Sequence, residues 1–243
     1  MEYIGIIPAR YASSRFPGKP LCDILGKPML WHVYNSVNKW DKWKEIYVAT
    51  DDVRILGVCE ELEIPCIMTS DTHMDCLDRA SEIVEILEAE NKGADRYIVI
   101  QGDEPLFNVN TLDCDLSAEI INFYTEVHDE SEIYDPNAVK VIVSKSEKAM
   151  YFSRYSIPYH AEQTKRNDKP TVVLKQIGVY VFSGEKLKHY CSLDSSYLEC
   201  QEGIGLLRLL ENDIEIQMRY TEHDSVSVDT EQDRIRIIQM LRN

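Results

Sequence analysis

Basic residues are scarce: 26 lysines and arginines stand against 42 aspartates and glutamates, for a net charge of −16. That balance argues against a nucleic-acid surface and against docking on anionic membrane. It does not exclude a small anionic ligand held in a local cationic pocket. Cysteines are few and unpatterned. The seven, at 22, 59, 66, 76, 114, 191 and 200, form no CxxC, so a disulfide framework and a structural zinc site are both poorly supported. Free thiols in a reducing cytoplasm are the expectation. No apolar run approaches the roughly 20 residues of a membrane helix. The opening "MEYIGII" carries no basic segment ahead of a long apolar one, so no secretory leader is expected and the localisation expected is cytoplasmic. Internal repeats and low-complexity tracts are absent.

What is present is an alternation of elements. "YIGII" (3–7), "EIYVAT" (45–50), "CIMT" (66–69) and "RYIVIQGDEP" (96–105) read as strands, the last running into a turn. Between them, 28–40 has apolar residues at 29, 30, 33, 34 and 37, which is helical spacing, with Pro28 at the first helical position. Residues 52–62 and 78–93 are further helices, the second stopped by Gly93. Strand and helix repeated with short links predict an α/β protein, a parallel sheet with helices on both faces. The 243 residues suffice for one sizeable core, and 1–243 reads as one domain. Longer strands at 137–144 and 174–183 flank an irregular middle and predict an antiparallel excursion over 137–183. Residues 126–137, "EVHDESEIYDPN", are acidic and read as a solvated loop. A helix, a strand over "IEIQMRY" and a helix over "TEQDRIRIIQML" close the chain.

The acidic chain concentrates Arg10, Arg15 and Lys19 in "IIPARYASSRFPGKPL" (6–21), a stretch without a single acid. Residues 8–20 leave the first strand at its carboxyl end, where open α/β sheets bind ligands. Arginine grips phosphate oxygens with a planar fork, lysine as a point charge, and Ser13 and Ser14 add hydroxyl donors. The stretch is neither GxGxxG nor GxxxxGK[ST], which disfavours a dinucleotide dehydrogenase and a P-loop ATPase. Ordinary surface cations on a turn account for the spacing equally well. Asp103 follows an apolar strand, and Asp229 follows the alternating "SVSV". On residue type alone, Asp103 is equally a turn former and Asp229 an N-cap of the last helix. Packing accounts for Trp31, Trp40 and Trp43. Cys76 is a bystander thiol or, beside Arg79 and a helix start, a reactive one.

The opening motif, with "VATDD" (48–52), "QGDEP" (101–105), "NAVKV" (137–141), "YFSR" (151–154), "IGVY" (177–180) and "VDT" (228–230) in that order, resembles the 3-deoxy-manno-octulosonate (Kdo) cytidylyltransferase family over nearly the whole chain. The resemblance implies a Rossmann-like, doubly wound, mostly parallel sheet with an antiparallel segment that builds a homodimer. It implies a CTP-dependent nucleotidyltransferase that couples CTP to a small acidic acceptor, releasing pyrophosphate and a CMP-sugar for lipopolysaccharide or capsule. It places Arg10, Ser13, Arg15, Lys19 and Arg79 on the nucleotide and Asp103 and Asp229 on Mg²⁺. Arg10, Lys19, Asp103 and Asp229 become the catalytic set, and Gln101, Tyr151, Arg154 and Gln176 the acceptor side, with Arg154 facing a carboxylate.

Three stretches depart from the family pattern. "HMDCLDR" (73–79) has Asp75, Cys76 and Leu77 where the family has Ser-Gly-Thr. Gln176 replaces a histidine, and Gly205 with Leu206 stands where the family has a Leu-Glu-Gln-Leu-Arg helix. The resemblance puts all three on the sugar side. They imply a changed acceptor: another 2-keto-3-deoxy acid, an amino-substituted analogue, or a phosphate- or phosphonate-bearing molecule. A non-catalytic nucleotide-binding relative and a different nucleotide are the rival expectations. Zinc at His73, Asp75 and Cys76 lacks an evident fourth ligand.

Overall fold

The computed structural model describes residues 1–12, 16–73, 75–159 and 172–242. The chain forms two compact units. The first comprises Met1–Glu119, Gly178–Ser192 and Ser225–Asn243, and the second Ile120–Ile177 and Leu193–Asp224.

In the first unit, β1 (Tyr3–Pro8) is central. Ile4, Ile6 and Ile7 are buried, as expected of an apolar run in a sheet covered on both faces. After it come a short hairpin, β2 (Asp23–Ile24) and β3 (Lys27–Pro28), whose turn residues Leu25 and Gly26 both have positive φ, then α1 (Met29–Val37). Parallel neighbours β4 (Trp43–Thr50) and β6 (Arg96–Ile100) flank β1, with Ile6 opposite Tyr47 on one side and Val99 on the other. Beyond β4 lies β5 (Cys66–Met68), also parallel. The helices between them are α2 (Val53–Glu61) and α3 (Cys76–Ala89). This matches the predicted α/β alternation.

Boundaries differ where capping chemistry decides them. Pro28 has ψ 147 and is the N-cap of α1, not its first helical residue. Helix α3 begins at Cys76, because Asp75 accepts from the N–H groups of Leu77 and Asp78 in a capping box. It ends at Ala89, before Gly93, with Asn91 in the left-handed region at φ 58. Trp40 and Trp43 pack edge to face at 4.7 Å, and none of the seven cysteines, all of them described, is joined in a disulfide.

The second unit contains β7 (Ile120–Glu126), the short α4 (Glu130–Tyr134), β8 (Lys140–Val143) and β9 (Ala149–Ser153). Strands β8 and β9 pair antiparallel, the predicted excursion. Strand β10 (Leu174–Phe182) starts in this unit, where Lys175 lies antiparallel to Lys140. It ends in the first, where Val179–Phe182 runs antiparallel to β6. Helices α5 (Gly184–Ser192), α6 (Tyr197–Glu202) and α7 (Leu206–Glu211) follow. Then come β11 (Gln217–Tyr220), parallel to β7, and α8 (Glu231–Arg242). The acidic stretch 126–137 is not simply a solvated loop. Asp129 caps α4, and Glu132 joins Asp224 around the buried Lys175 at 2.5 and 2.8 Å. Among the described residues no helix is long and apolar enough to cross a membrane.

Candidate active site

The carboxyl end of β1 delivers the chain to a closed loop. Arg10 is exposed. The carbonyl of Tyr11 accepts from the N–H of Gly18 at 3.0 Å. Gly18 sits at φ +70, where a side chain is strained, and a Cβ there would meet the Tyr11 ring at 3.0 Å, so the position favours glycine. Lys19 follows directly, at the head of a single 3₁₀ turn. Ser13 and Arg15 lie outside the described residues.

At the carboxyl end of β6 the chain passes very close to β1. A Cβ on Gly102 would lie 2.4 Å from the carbonyl oxygen of Pro8, so only glycine permits the crossing. Asp103 emerges from that crossing beside Lys19. Its carbonyl accepts from the N–H of Val228 at 2.9 Å, which brings in the segment leading to α8. Asp229 does not cap α8: Thr230 and Asp233 exchange the capping hydrogen bonds at 2.8 and 3.3 Å. The Asp229 carboxylate instead takes Lys19.

Lys19 Nζ therefore donates to Asp103 Oδ2 at 2.6 Å and to Asp229 Oδ1 at 3.1 Å. The three side chains come from positions 84 and 210 residues apart in sequence, and all are largely shielded from water. Burial pulls the Lys19 pKa down, but the two carboxylates more than offset it and hold it above 10.5. One cation is thus clasped by two anions at the carboxyl edge of a parallel sheet.

Arg79 is on α3 and 4% exposed. Its guanidinium is engaged by Thr69 Oγ1 at 2.5 Å, the Ser70 carbonyl at 3.2 Å and Asp51 at 3.3 Å. Asp51 belongs to the "VATDD" motif, whose part in holding Arg79 nothing in the sequence signals. Gln101 donates from Nε2 to Cys76 Sγ at 3.1 Å. Burial pushes the Cys76 thiol up to about 12, which opposes the reactive-thiol expectation. Its neighbours diverge: His73 pairs with Glu82 at 2.5 Å, and Asp75 Oδ2 accepts from Tyr190 at 2.5 Å. Leu77, 2% exposed, belongs to the core. Of the Ser-Gly-Thr replacements, one is thus an N-cap, one is core, and only Cys76 adjoins a residue expected on the acceptor side.

In the second unit, Glu202 organises the "YFSR" strand. It accepts from the Ser153 hydroxyl at 2.7 Å, the Arg154 N–H at 2.8 Å and the Tyr151 hydroxyl at 3.4 Å. Sequence reasoning missed Glu202, which no motif marks. The Arg154 guanidinium donates to three carbonyls, those of Glu202, Pro136 and Gly203. Gln176 differs: its Nε2 is buried without a hydrogen-bond partner.

Residues 4–216 match the family model described as "Cytidylyltransferase". The chain is 37% identical over 254 residues to a 3-deoxy-manno-octulosonate cytidylyltransferase of Parabacteroides distasonis, covering 100% of this chain and 99% of that protein. It is 38% identical to an 8-amino-3,8-dideoxy-manno-octulosonate cytidylyltransferase of Shewanella pealeana, over 96% and 95%. A solved CMP:2-keto-3-deoxy-manno-octonic acid synthetase complexed with CTP superposes with a TM-score of 0.87 at 32% identity, covering 100% of this chain and 99% of that one. With the motifs in order, the fold in agreement and relatives matched end to end, the chain belongs to the cytidylyltransferase family, among the 3-deoxy-manno-octulosonate cytidylyltransferases.

Proposed function

We propose that this enzyme transfers CMP from CTP to a 3-deoxy-manno-octulosonate-type acid sugar. The observation that carries the reading is the clasp of Lys19 by Asp103 and Asp229. A hydroxyl oxygen of the sugar bonds to the α-phosphorus, the bond from that phosphorus to the bridging β-oxygen breaks, the hydroxyl proton is lost to water, and pyrophosphate leaves. Catalysis of such transfers is mainly positioning and neutralisation of charge. Arg10 and Lys19 bring positive charge to the triphosphate. The Asp103 and Asp229 carboxylates fit a magnesium ion, a hard cation that prefers oxygen ligands and takes one or two carboxylates together with substrate phosphates. They already hold one cation, the Lys19 ammonium. When bound, the ion neutralises phosphate charge and lowers the pKa of an attacking hydroxyl. A homodimer, a cytoplasmic location and a role in surface polysaccharide synthesis belong to the same reading.

On the acceptor side, Gln176 offers an unpaired amide donor to an oxygen of the sugar acid. A buried unpaired donor costs about 1–3 kcal/mol. Gln176→Leu therefore has effects of opposite sign. Thermal denaturation shows a rise of roughly 2–4 °C for each kcal/mol recovered, while the KM for the acceptor rises about tenfold, equivalent to one 1.4 kcal/mol contact. A falling melting temperature with an unchanged acceptor KM refutes the assignment.

A second reading, an acceptor altered at the sugar, is favoured by the Cys76 thiol against Gln101. One assay addresses both. Pyrophosphate release is measured with CTP, Mg²⁺ and either 3-deoxy-manno-octulosonate or its 8-amino analogue. Release with at least one acid, and only with nucleotide and acid together, supports the transferase. CTP binding without release for any acid supports the non-catalytic rival. Equal turnover of the two acids removes the altered acceptor, and a thermal-shift series over four nucleotides tests the base.

A further inference from the structure

The loop that carries Lys19 is braced by a residue outside every quoted motif. Arg54, on the first turn of α2, lays its guanidinium over the Tyr11 ring with the central carbon 3.3 Å from the ring centroid. Guanidinium planes stack on aromatic faces in this way. The guanidinium is fixed from behind by Asp52, the N-cap of α2, at 2.8 Å from Nε and 2.6 Å from Nη2, and the Asp52 N–H is in turn held by Thr50 Oγ1 at 3.2 Å. Tyr11 also packs against Gly18, whose N–H closes the loop on the Tyr11 carbonyl at 3.0 Å. The next residue is Lys19. A continuous set of contacts thus runs from the end of β4 through Asp52, Arg54, Tyr11 and Gly18 to the cation at the centre of the site.

The Arg54 side chain is 57% exposed. Its position is set by Asp52, the N-cap of α2, and by Tyr11, whose carbonyl accepts from the N–H of Gly18, the residue before Lys19. We infer that Arg54 is a positioning residue for CTP: stacked on Tyr11, it fixes the loop that presents Lys19 and so raises affinity for the triphosphate. The inference rests on the CTP reading above, since it requires Lys19 to meet phosphate.

The test uses Arg54→Ala, Tyr11→Leu, the double variant and Tyr11→Phe in the full-length protein, with melting temperatures recorded for each. Arg54→Ala and Tyr11→Leu each raise the KM for CTP about two- to fivefold, the size of an exposed cation–π contact. They leave kcat and the acceptor KM within experimental error. The double variant is no worse than either single one, because both remove the same stack, and Tyr11→Phe, which keeps the aromatic face, restores wild-type KM. Multiplied effects in the double variant mean that Arg54 acts on the nucleotide without Tyr11, and overturn the inference, as does an effect on kcat alone. Failure of the CTP reading looks different: the wild-type protein itself then shows no saturable response to CTP.

Discussion

Asp103→Asn lowers kcat/KM by about 10³-fold, the scale on which single preorganised charge contacts act in transition states. Asparagine is chosen because it separates two accounts of the residue. It forms turns as readily as aspartate, and it keeps the shape that follows the tight Gly102 crossing. If Asp103 only shapes the turn, activity survives the change. If its carboxylate is half of the cation clasp, activity collapses while the fold stands. Lys19 retains Asp229 at 3.1 Å, and the Asp103 carbonyl retains Val228, so the melting temperature changes little. The loss is accompanied by a shift of the magnesium requirement to higher concentration. Steady-state kinetics over a magnesium series with CTP check both statements.

Lys19→Met lowers kcat/KM for CTP by about 10²–10³-fold, with a different signature. The two carboxylates remain, so the magnesium requirement persists, and the loss falls on CTP. Lys19→Arg rescues little, because a planar fork does not replace a compact ammonium between two carboxylates. The pH dependence follows from the direction of the Lys19 shift. A raised lysine pKa keeps the cation charged throughout the range below 10.5 and releases the proton only above it. The contribution of Lys19 is therefore fully present at neutral and moderately alkaline pH, and is lost as pH climbs through the elevated value. Profiles of kcat/KM against pH carry no falling limb from Lys19 below 10.5. A limb near neutrality that vanishes in Lys19→Met contradicts the assignment.

The first unit was largely legible in the sequence, for physical reasons that also mark where legibility stopped. Runs such as 3–7 and 96–100 are apolar on both faces, as in a covered parallel strand, and 28–40 carries one helical stripe. Strand β9 and the short α4 escaped, the one quoted only as a motif and the other hidden in acidic composition. The start of α3 shows how a local cap governs function. Asp75 sets the helix phase so that Leu77 turns into the core, and the Leu77 that stands where the family has threonine is a packing position. The Lys19, Asp103 and Asp229 meeting point was not legible from spacing. It depends on a main-chain crossing possible only at Gly102 and on one hydrogen bond from Val228, and neither leaves a periodic trace. Family likeness brought the three together, and the geometry supplies the reason. Arg54 and Glu202 left no signal at all, since the Tyr11 ring that the one covers and the strand that the other organises are distant from them in sequence.

The account stands on Asp103 and Asp229 serving together as a cation site for the bound triphosphate. The direct measurement is calorimetric titration of CTP with magnesium and with chelator, in the wild-type protein and in the Asp103→Asn/Asp229→Asn double variant. The account predicts that magnesium tightens CTP binding in the wild type and has no effect in the double variant. An identical gain from magnesium in both proteins contradicts it.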